Sequence, residues 1–483
     1  MIKVSPHKRP LIATFCIMVP ITTNVKREII EDFARLIREQ KTRGAKPAKT
    51  VINFRTERID GFERPIERVP IDLLRYRKDN GRIASDVLDY EKSLTLLDEK
   101  DKDAQDLLRK FLEDKDPEKT DILLKSMEHA GQIEPAIITC DGFLINGNRR
   151  KMVLEKLRER HPSNPEFESM KVVILPGPED RGGPPTLLEI EKLENRYQLQ
   201  SEGKSEYYGF DRALSIKRKM ELGFSLAEQL RDDPRYARAT EAELSNAAKE
   251  MEAAFLQPLE CVDRYLQMLN REGFYGTVSG GRSDREGRWQ AFIDYSHVYD
   301  KNFMKAKWRI EKGVDESDVG ALEDAAFKII RLRDLRGLPK VHTVMRQLPK
   351  LAARKESRKE VLKISDDVDV DLPKDDHYNQ LGDALSLEEI DAKWAKRSQQ
   401  AVIHHLKKAM EYHENSLEKE TPLTLLDAAY KKLTHEKMSM ESIAVADFPQ
   451  ARQLASDIQR KAKEIESEIY HHQKEHRDLG RKK

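Results

Sequence analysis

The stretch that most limits how this chain can fold is residues 134–157, EPAIITCDGFLINGNRRKMVLEKL. Residues 134–139 form a short β-branched run, which reads as a strand. Asp141-Gly142 is a hairpin-turn pair, and residues 143–146 read as the returning strand. Gly147 closes it, and Arg149 and Arg150 open a helix that keeps Met152, Val153, Leu154 and Leu157 on one side. Two guanidiniums therefore stand at a strand-to-helix junction beside free backbone N–H groups. That combination suits phosphate, because arginine offers a bidentate fork and a helix start adds positive potential. The same pattern also fits a plain hairpin feeding a basic surface helix.

A chain of 483 residues is too long for one core and implies several domains. Lys+Arg 87 against Asp+Glu 86 leaves a formal charge of +1, so a nucleic-acid site has to be a local basic patch. Charged residues at 36%, aromatics at 7% and a mean hydropathy of -0.72 favour long solvated helices over a large sheet core. Cys16, Cys140 and Cys261 stand far apart with no C-x-x-C, which excludes a zinc knuckle or disulfide framework and fits a reducing cytosol. No stretch is long and apolar enough to span a bilayer. Residues 11–21 follow Lys3, Lys8 and Arg9 in the manner of a signal peptide, but Pro20 interrupts them and no small-x-small site follows, so they read as a buried strand. A cytoplasmic chain with no membrane partner is expected.

Taken in order, residues 24–40 keep helical spacing through Val25, Ile29, Ile30, Phe33, Ala34 and Ile37, and residues 1–50 read as an arm. Residues 67–75 read as strand and turn, and Asp79-Asn80-Gly81 as a sharp turn. Residues 83–119 read as a charged, solvated insertion. Thr120 is the expected N-cap of a helix over residues 121–130, with Leu123, Leu124 and Met127 inward and Gly131 at its end. A strand over 171–175 and a helix over 186–199 complete a compact α+β unit at residues 51–200.

This order and these residues resemble the N-terminal domain of the ParB family, a fold shared with sulfiredoxin. Val69-Pro70-Ile71 with Leu73 and Asn80-Gly81-Arg82 is similar to the first family box, and Ser126 with Gly131-Gln132-Ile133-Glu134-Pro135 to the next. Ile145-Asn146-Gly147-Asn148-Arg149-Arg150 resembles the central Gly-Glu-Arg-Arg box, and Leu193-Glu194-Asn195 with Gln198 the Glu-Asn-x-Gln-Arg box. The resemblance implies a nucleotide, CTP or another NTP, bound with Mg²⁺. On it, Gly147, Arg149 and Arg150 contact the phosphates, with Arg82 and Asn148 as further nucleotide-binding positions. Gly131 and Pro135 shape the pocket, Glu194 and Asn195 hold the metal, and Asn80 and Glu194 are the catalytic positions. Asn148 replaces the family's Glu, the first box lacks Gln-Pro-Arg, and Arg196 and Tyr197 intervene in the last box. These departures bear on hydrolysis more than on phosphate binding.

Residues 201–310 read as helical. Thr240 and Glu243 form a capping box, and helices over 241–254 and 259–269 meet at Leu256-Gln257-Pro258. The resembled family has a DNA-reading helix-turn-helix here, which would set Gln257, Glu260 and Arg264 near the start of a recognition helix. A plain bundle is the other reading. Residues 271–288 are Gly-rich and basic, with Arg282 and Arg285 able to track a DNA backbone, or else an interdomain connector. The aromatics of residues 289–310 are expected to be core. A basic extension at 311–364 reads as a phosphate-backbone patch or a solvated helix pair, and 365–384 as an acidic linker. Within the helical region 385–483, Thr421-Pro422 reads as a helix start, and Leu454, Ile458, Ala462, Ile465 and Ile469 form a seam for a pairing helix. His472 and His476 lie one turn apart, a metal pair or a polar tail.

The expected protein is a dimeric, nucleotide-dependent ParB-like clamp or regulator on double-stranded DNA. Plasmid partition, a mobile element or anti-phage defence would be its setting, CTP or NTP hydrolysis its candidate activity, and a partner ATPase a further component. The alternatives are a ParB-like nuclease with metal on Glu194 and Asn195, and a non-catalytic adaptor.

Overall fold

Among the described residues five short strands set the N-terminal part: β1 (Lys49–Val51), β2 (Glu63–Pro65), β3 (Glu67–Pro70), β4 (Ala136–Ile138) and β5 (Ser169–Ile174). β1 and β2 pair antiparallel; the other three form a sheet of order β3-β5-β4, with β5 antiparallel to β3 and parallel to β4. The computed structural model describes residues 25–40, 47–52, 54–55, 63–115, 117–199, 209–236, 238–279, 285–379, 382–435 and 438–480, and it is mostly helical with small sheets, an α+β architecture. Side chains alternate across the three-stranded sheet. Val69, Ala136, Ile138, Met170 and Val172 enter one core, and Ile137, Val173 and Leu175 enter another on the opposite face.

Helix α1 (Glu31–Glu39) starts later than the spacing suggested. The preceding residues are pulled into extended pairing: Lys26 bridges Thr186, Leu187 N donates to Val25 O at 3.0 Å, and Ile30 N donates to Asp141 Oδ2 at 3.1 Å. Tertiary partners override propensity here. The strand expected at residues 11–21 lies outside the described residues. α2 (Ala84–Ser93) and α3 (Lys102–Asp114) correct the solvated-insertion reading, because Val87, Leu97, Ala104, Leu108 and Leu112 are all buried in the first core. Ala104, Leu108 and Leu112 recur every four residues, so the charges fall on the outer face. α4 (Pro117–Ala130) starts on Pro117, a favoured first position, which leaves Thr120 buried within the helix and not capping it. Gly131 ends it at φ +66°, the left-handed stop expected. α5 (Asn148–Arg160) buries Met152, Val153, Leu154 and Leu157, and α6 (Leu187–Leu199) covers the opposite face with Ile190 and Leu193.

The helical part begins with α7 (Gly209–Glu221), α8 (Leu226–Arg231) and α9 (Glu241–Met251), the last two opened by capping boxes at Ser225 and Thr240. The expected turn before α10 (Gln257–Met268) is absent. Residues Glu252–Leu256 are π-helical, and Met251 and Gln257 flank them with right-handed helical backbone, so α9 runs into α10 without a break. Pro258 offers no N–H for the i→i−4 ladder, and the wider π segment accommodates that loss without ending the helix. α11 (Gly276–Ser279), α12 (Arg285–Val298), α13 (Ala306–Lys312), α14 (Asp318–Leu332), α15 (Val341–Ala352) and α16 (Lys355–Asp367) follow. The aromatics form core, as expected: Tyr265 meets Phe292 and Phe327 edge-on at 5.3 and 5.7 Å. The acidic segment 365–384 is not a free linker, because Val368 and Leu372 are buried and Trp394 Nε1 donates to Asp369 O at 2.8 Å.

α17 (Leu387–Leu433) buries Ile390, Trp394, Val402, Leu406 and Ala409 in the same core. The first compact unit therefore ends at His413, inside that helix, and the expected boundary at residue 385 moves to Glu414. The second unit, Glu414–Lys483, contains the rest of α17 and α18 (Phe448–Gly480). Pro422 lies within α17 and does not start a helix. Leu454, Ile458 and Ile469 are exposed along α18. Among the described residues no helix is long and apolar enough to cross a membrane.

One contact of the first unit carries a pH signature. Asp89 on α2 accepts backbone N–H groups of Tyr275 and Gly276 at the start of α11, while its Oδ1 is buried without a hydrogen-bond partner among the described residues. Burial pushes its carboxyl up to about 7, with Asp86 raising it further and the two backbone N–H groups and Lys115 opposing. The folded state thus holds a proton that the unfolded state has already lost above the ordinary carboxyl range. Stability should fall as pH rises from about 4 to about 7, by up to about 4 kcal/mol before solvent screening. Asp89→Asn should flatten that slope in urea titrations across this range and raise the midpoint at neutral pH; an unchanged slope would show that Asp89 does not carry it.

Candidate functional site

The junction singled out by the sequence is built from β4, a tight reversal and the start of α5. The reversal is locked by its own polar groups: Phe143 N donates to Thr139 Oγ1 at 3.0 Å, and Arg27 grips buried Asp141 with contacts of 2.7 and 3.0 Å. Gly142 sits at φ +87°, where a Cβ would lie 2.5 Å from Leu73 O. The returning strand expected at residues 143–146 reduces to isolated bridges, Phe143 to Arg75 and Leu144 to Ile138. Asn146 Oδ1 takes the ladder's place by accepting from Ile137 N at 2.7 Å. Gly147, at φ +85°, then turns the chain into α5, and Lys151 N closes the first turn on Gly147 O at 3.0 Å.

Arg149 and Arg150 stand in the first turn of α5, as expected. Arg150 folds back: its Nη1 donates to the carbonyl oxygens of Glu134 and of Pro135, the latter at 3.2 Å. Burial pulls its guanidinium down and the Glu134 carboxylate pulls it up. Tyr197 on α6 completes this group, its phenol pushed up by burial and by Glu134 and drawn down by Arg150. Residues 134–135 thus meet the helix start, with α6 within electrostatic reach. Asn148, the first residue of α5, is only 8% exposed, and its Oδ1 is buried with no hydrogen-bond partner among the described residues. Such an orphaned acceptor costs about 1–3 kcal/mol. Gly131, Glu166 and Lys171 edge a shallow recess beside α4.

The turn ahead of Asn80 reaches α6 through a residue that the sequence did not single out. Arg77 is buried and contacts Glu191 at 3.3 Å and Glu194 at 3.4 Å. Burial pulls Arg77 down, but Glu194, Glu191 and Asp79 outweigh it and hold it above the ordinary arginine range. Asp79 in turn pairs with Arg218 of α7 at 2.6 Å. Asn80 is buried, and its Oδ1 accepts from Arg82 N at 3.0 Å, closing the turn locally. Nothing in the spacing of Arg77, Glu191 and Arg218 signals this cluster, since Arg77 lies more than a hundred residues before the other two.

The donor set around Glu194 and Asn195 does not suit a divalent cation. Glu194 faces Arg77, and its Oε1 accepts from Gln198 Nε2 at 2.9 Å. Asn195 Oδ1 accepts from Lys219 Nζ at 3.0 Å, while Asn195 Nδ2 donates to Gln229 O at 3.1 Å. Hard cations need several oxygen ligands without a competing ammonium. No group of three or more His, Cys, Asp or Glu side chains able to hold a metal occurs among the described residues. That includes His472; the side chain of His476 lies outside them.

The residues expected to read DNA are set elsewhere. Gln257 is half-buried on the continuous α9–α10 helix. Arg264 turns inward: its Nε donates to Glu323 at 3.0 Å, and its guanidinium lies 4.7 Å from the Tyr299 ring centroid. Arg282 is outside the described residues, and so is the side chain of Arg285, the first residue of α12. No family model matches the chain, and neither a curated protein nor a solved structure matches it significantly.

Proposed function

We propose that this chain is a ParB-like protein that binds a nucleoside triphosphate, CTP in the first instance, at the start of α5, and that the nucleotide controls its engagement of double-stranded DNA as a homodimer. The observation that supports the reading is the packing of Arg150 onto the Glu134 and Pro135 carbonyls, with Tyr197 in electrostatic reach, at one helix start that also carries Arg149 and Asn148, whose Oδ1 has no hydrogen-bond partner among the described residues. Phosphate suits that place, because a helix start supplies unsatisfied N–H donors and arginine supplies paired ones. Arg150 positions the junction, and Arg149 is the side chain assigned to the ligand. Mg²⁺ would arrive with the phosphates and not on the Glu194–Asn195 pair, whose oxygens are already engaged. The same engagement argues against the nuclease reading, which needs those residues as metal ligands. It favours one second reading, a non-catalytic adaptor. The exposed seam of α18 supports the homodimer. Partition, regulation or defence, and a partner ATPase, are settings in which such a protein would act.

Calorimetric titration with CTP, ATP, GTP and UTP in Mg²⁺, with and without duplex DNA, tests the reading. Arg149→Ala should weaken the preferred nucleotide by about 10- to 100-fold, the worth of a charged hydrogen bond, with an unchanged circular dichroism spectrum. Unchanged affinity would remove Arg149 from the site. Absence of binding by all four nucleotides in the wild type would leave the adaptor reading.

A further inference from the structure

We infer that Asn148 makes the site selective for a nucleoside triphosphate over a bare polyphosphate, by accepting a hydrogen bond from a hydroxyl or amino group of the ligand. This inference rests on the nucleotide-binding reading and names what that site discriminates. Asn148 is the first residue of a 13-residue helix and follows Gly147, whose left-handed backbone aims the chain into it. The side chain is more than nine-tenths buried, yet its carboxamide oxygen has no partner among the described residues. Of the two arginines that follow it, Arg150 is turned onto the carbonyls of Glu134 and Pro135. A helix start offers donors, so it takes the acceptor oxygens of phosphate. An amide oxygen can only accept. Phosphate oxygens cannot satisfy it, and a polyphosphate would leave it as it is. A ligand that fits both halves of the junction has to bring acceptors and a donor close together. A nucleoside triphosphate does so, with ribose hydroxyls or an exocyclic amine beside its phosphates.

The test compares full-length wild-type protein with Asn148→Leu and Asn148→Ala, titrated with inorganic tripolyphosphate and with CTP, ATP and their 2′- and 3′-deoxy forms. Wild type should bind its preferred nucleotide at least about tenfold more tightly than tripolyphosphate, since buried polar groups left unpaired are strongly discriminating. Both variants should lose about tenfold for the nucleotide and keep the same tripolyphosphate affinity. A loss with one deoxy form would identify that hydroxyl as the donor; equal affinities for all deoxy forms would identify the base amine. The unliganded Asn148→Leu protein should melt at or above the wild-type temperature, because the substitution removes an unpaired amide. A nucleotide-to-tripolyphosphate ratio that is unchanged in both variants would overturn the inference and leave the nucleotide site standing. Absence of binding by both ligands in wild type would overturn the site itself. Asn148→Ala covers the case in which Leu does not fit, and the wild-type ratio stands without either variant.

Discussion

Replacing Asp391 by Ala is expected to destabilise the first compact unit by about 3–5 kcal/mol, the cost of leaving buried charges without their partner. Asp391 is 4% exposed, and a single oxygen, Oδ1, receives Arg271 Nη1 at 2.8 Å, Arg331 Nη2 at 2.8 Å and Arg331 Nε at 3.0 Å. Arg331 also donates to Val370 O at 2.6 Å and stacks over the buried Trp394 ring at 4.3 Å. One carboxylate therefore joins the segment after α10, the end of α14 and the first turns of α17. Without it, two guanidiniums face each other in a water-excluded core, and neither can be neutralised at accessible pH. Thermal unfolding should shift down by at least about 5 °C, with the urea slope unchanged. Asp391→Asn, which keeps an acceptor and loses the charge, should fall between. Pairing Asp391→Ala with Arg271→Met in a double-mutant cycle should recover part of the loss, since one stranded cation is removed. A melting temperature within about one degree of wild type for Asp391→Ala would mean that water reaches this core and screens the pair.

The contrast between this bolt and the candidate site shows what a sequence exposes. The start of α5 was legible because its signals are local: a β-branched run, Asp141-Gly142, then Gly147 ahead of an apolar helical face. The capping box at Thr240 and Glu243 was legible for the same reason. Asp391, Arg271 and Arg331 were not, since they are 60 and 120 residues apart and each looks like ordinary surface charge. Arg77, Glu191 and Arg218 were hidden in the same way. Pro258 misled in the opposite direction: a proline suggests a break, but near a helix start with a π segment before it the helix continues. In residues 83–119 the charges outnumber the apolar side chains, and the four-residue spacing of Ala104, Leu108 and Leu112 is easily overlooked, although those three residues are among the ones the core uses. Composition described the outside of these helices and period described the inside.

Gly147→Ala should cost about 2–5 kcal/mol and abolish the nucleotide binding proposed at α5 wherever the variant still folds, and both parts of that cost are separable. The first is conformational: φ is +85°, a region that costs an L-residue about 1–2 kcal/mol. The second is contact. A Cβ on Gly147 would lie 2.7 Å from Ala136 Cβ, 3.1 Å from Met170 Cε and 3.4 Å from Arg150 Nη2. Met170 can swing aside, but Ala136 is fully buried on β4 and has no rotamer to adjust. The helix start has to move off the strand, and overpacking of that kind adds about 1–3 kcal/mol. Such a shift displaces Arg149 and Asn148 together, and it withdraws Arg150 from the Glu134 and Pro135 carbonyls that define the junction. Gly313 supplies the reference. It ends α13 at φ +59° with nothing within 4 Å of an added Cβ, so Gly313→Ala should show the conformational cost alone. Urea unfolding of the two variants should therefore differ by the contact cost, with Gly147→Ala the less stable, and titration should show binding retained in Gly313→Ala. Equal stabilities would mean that β4 and α5 separate freely at this point, and a junction that loose could not hold two side chains in register for one ligand.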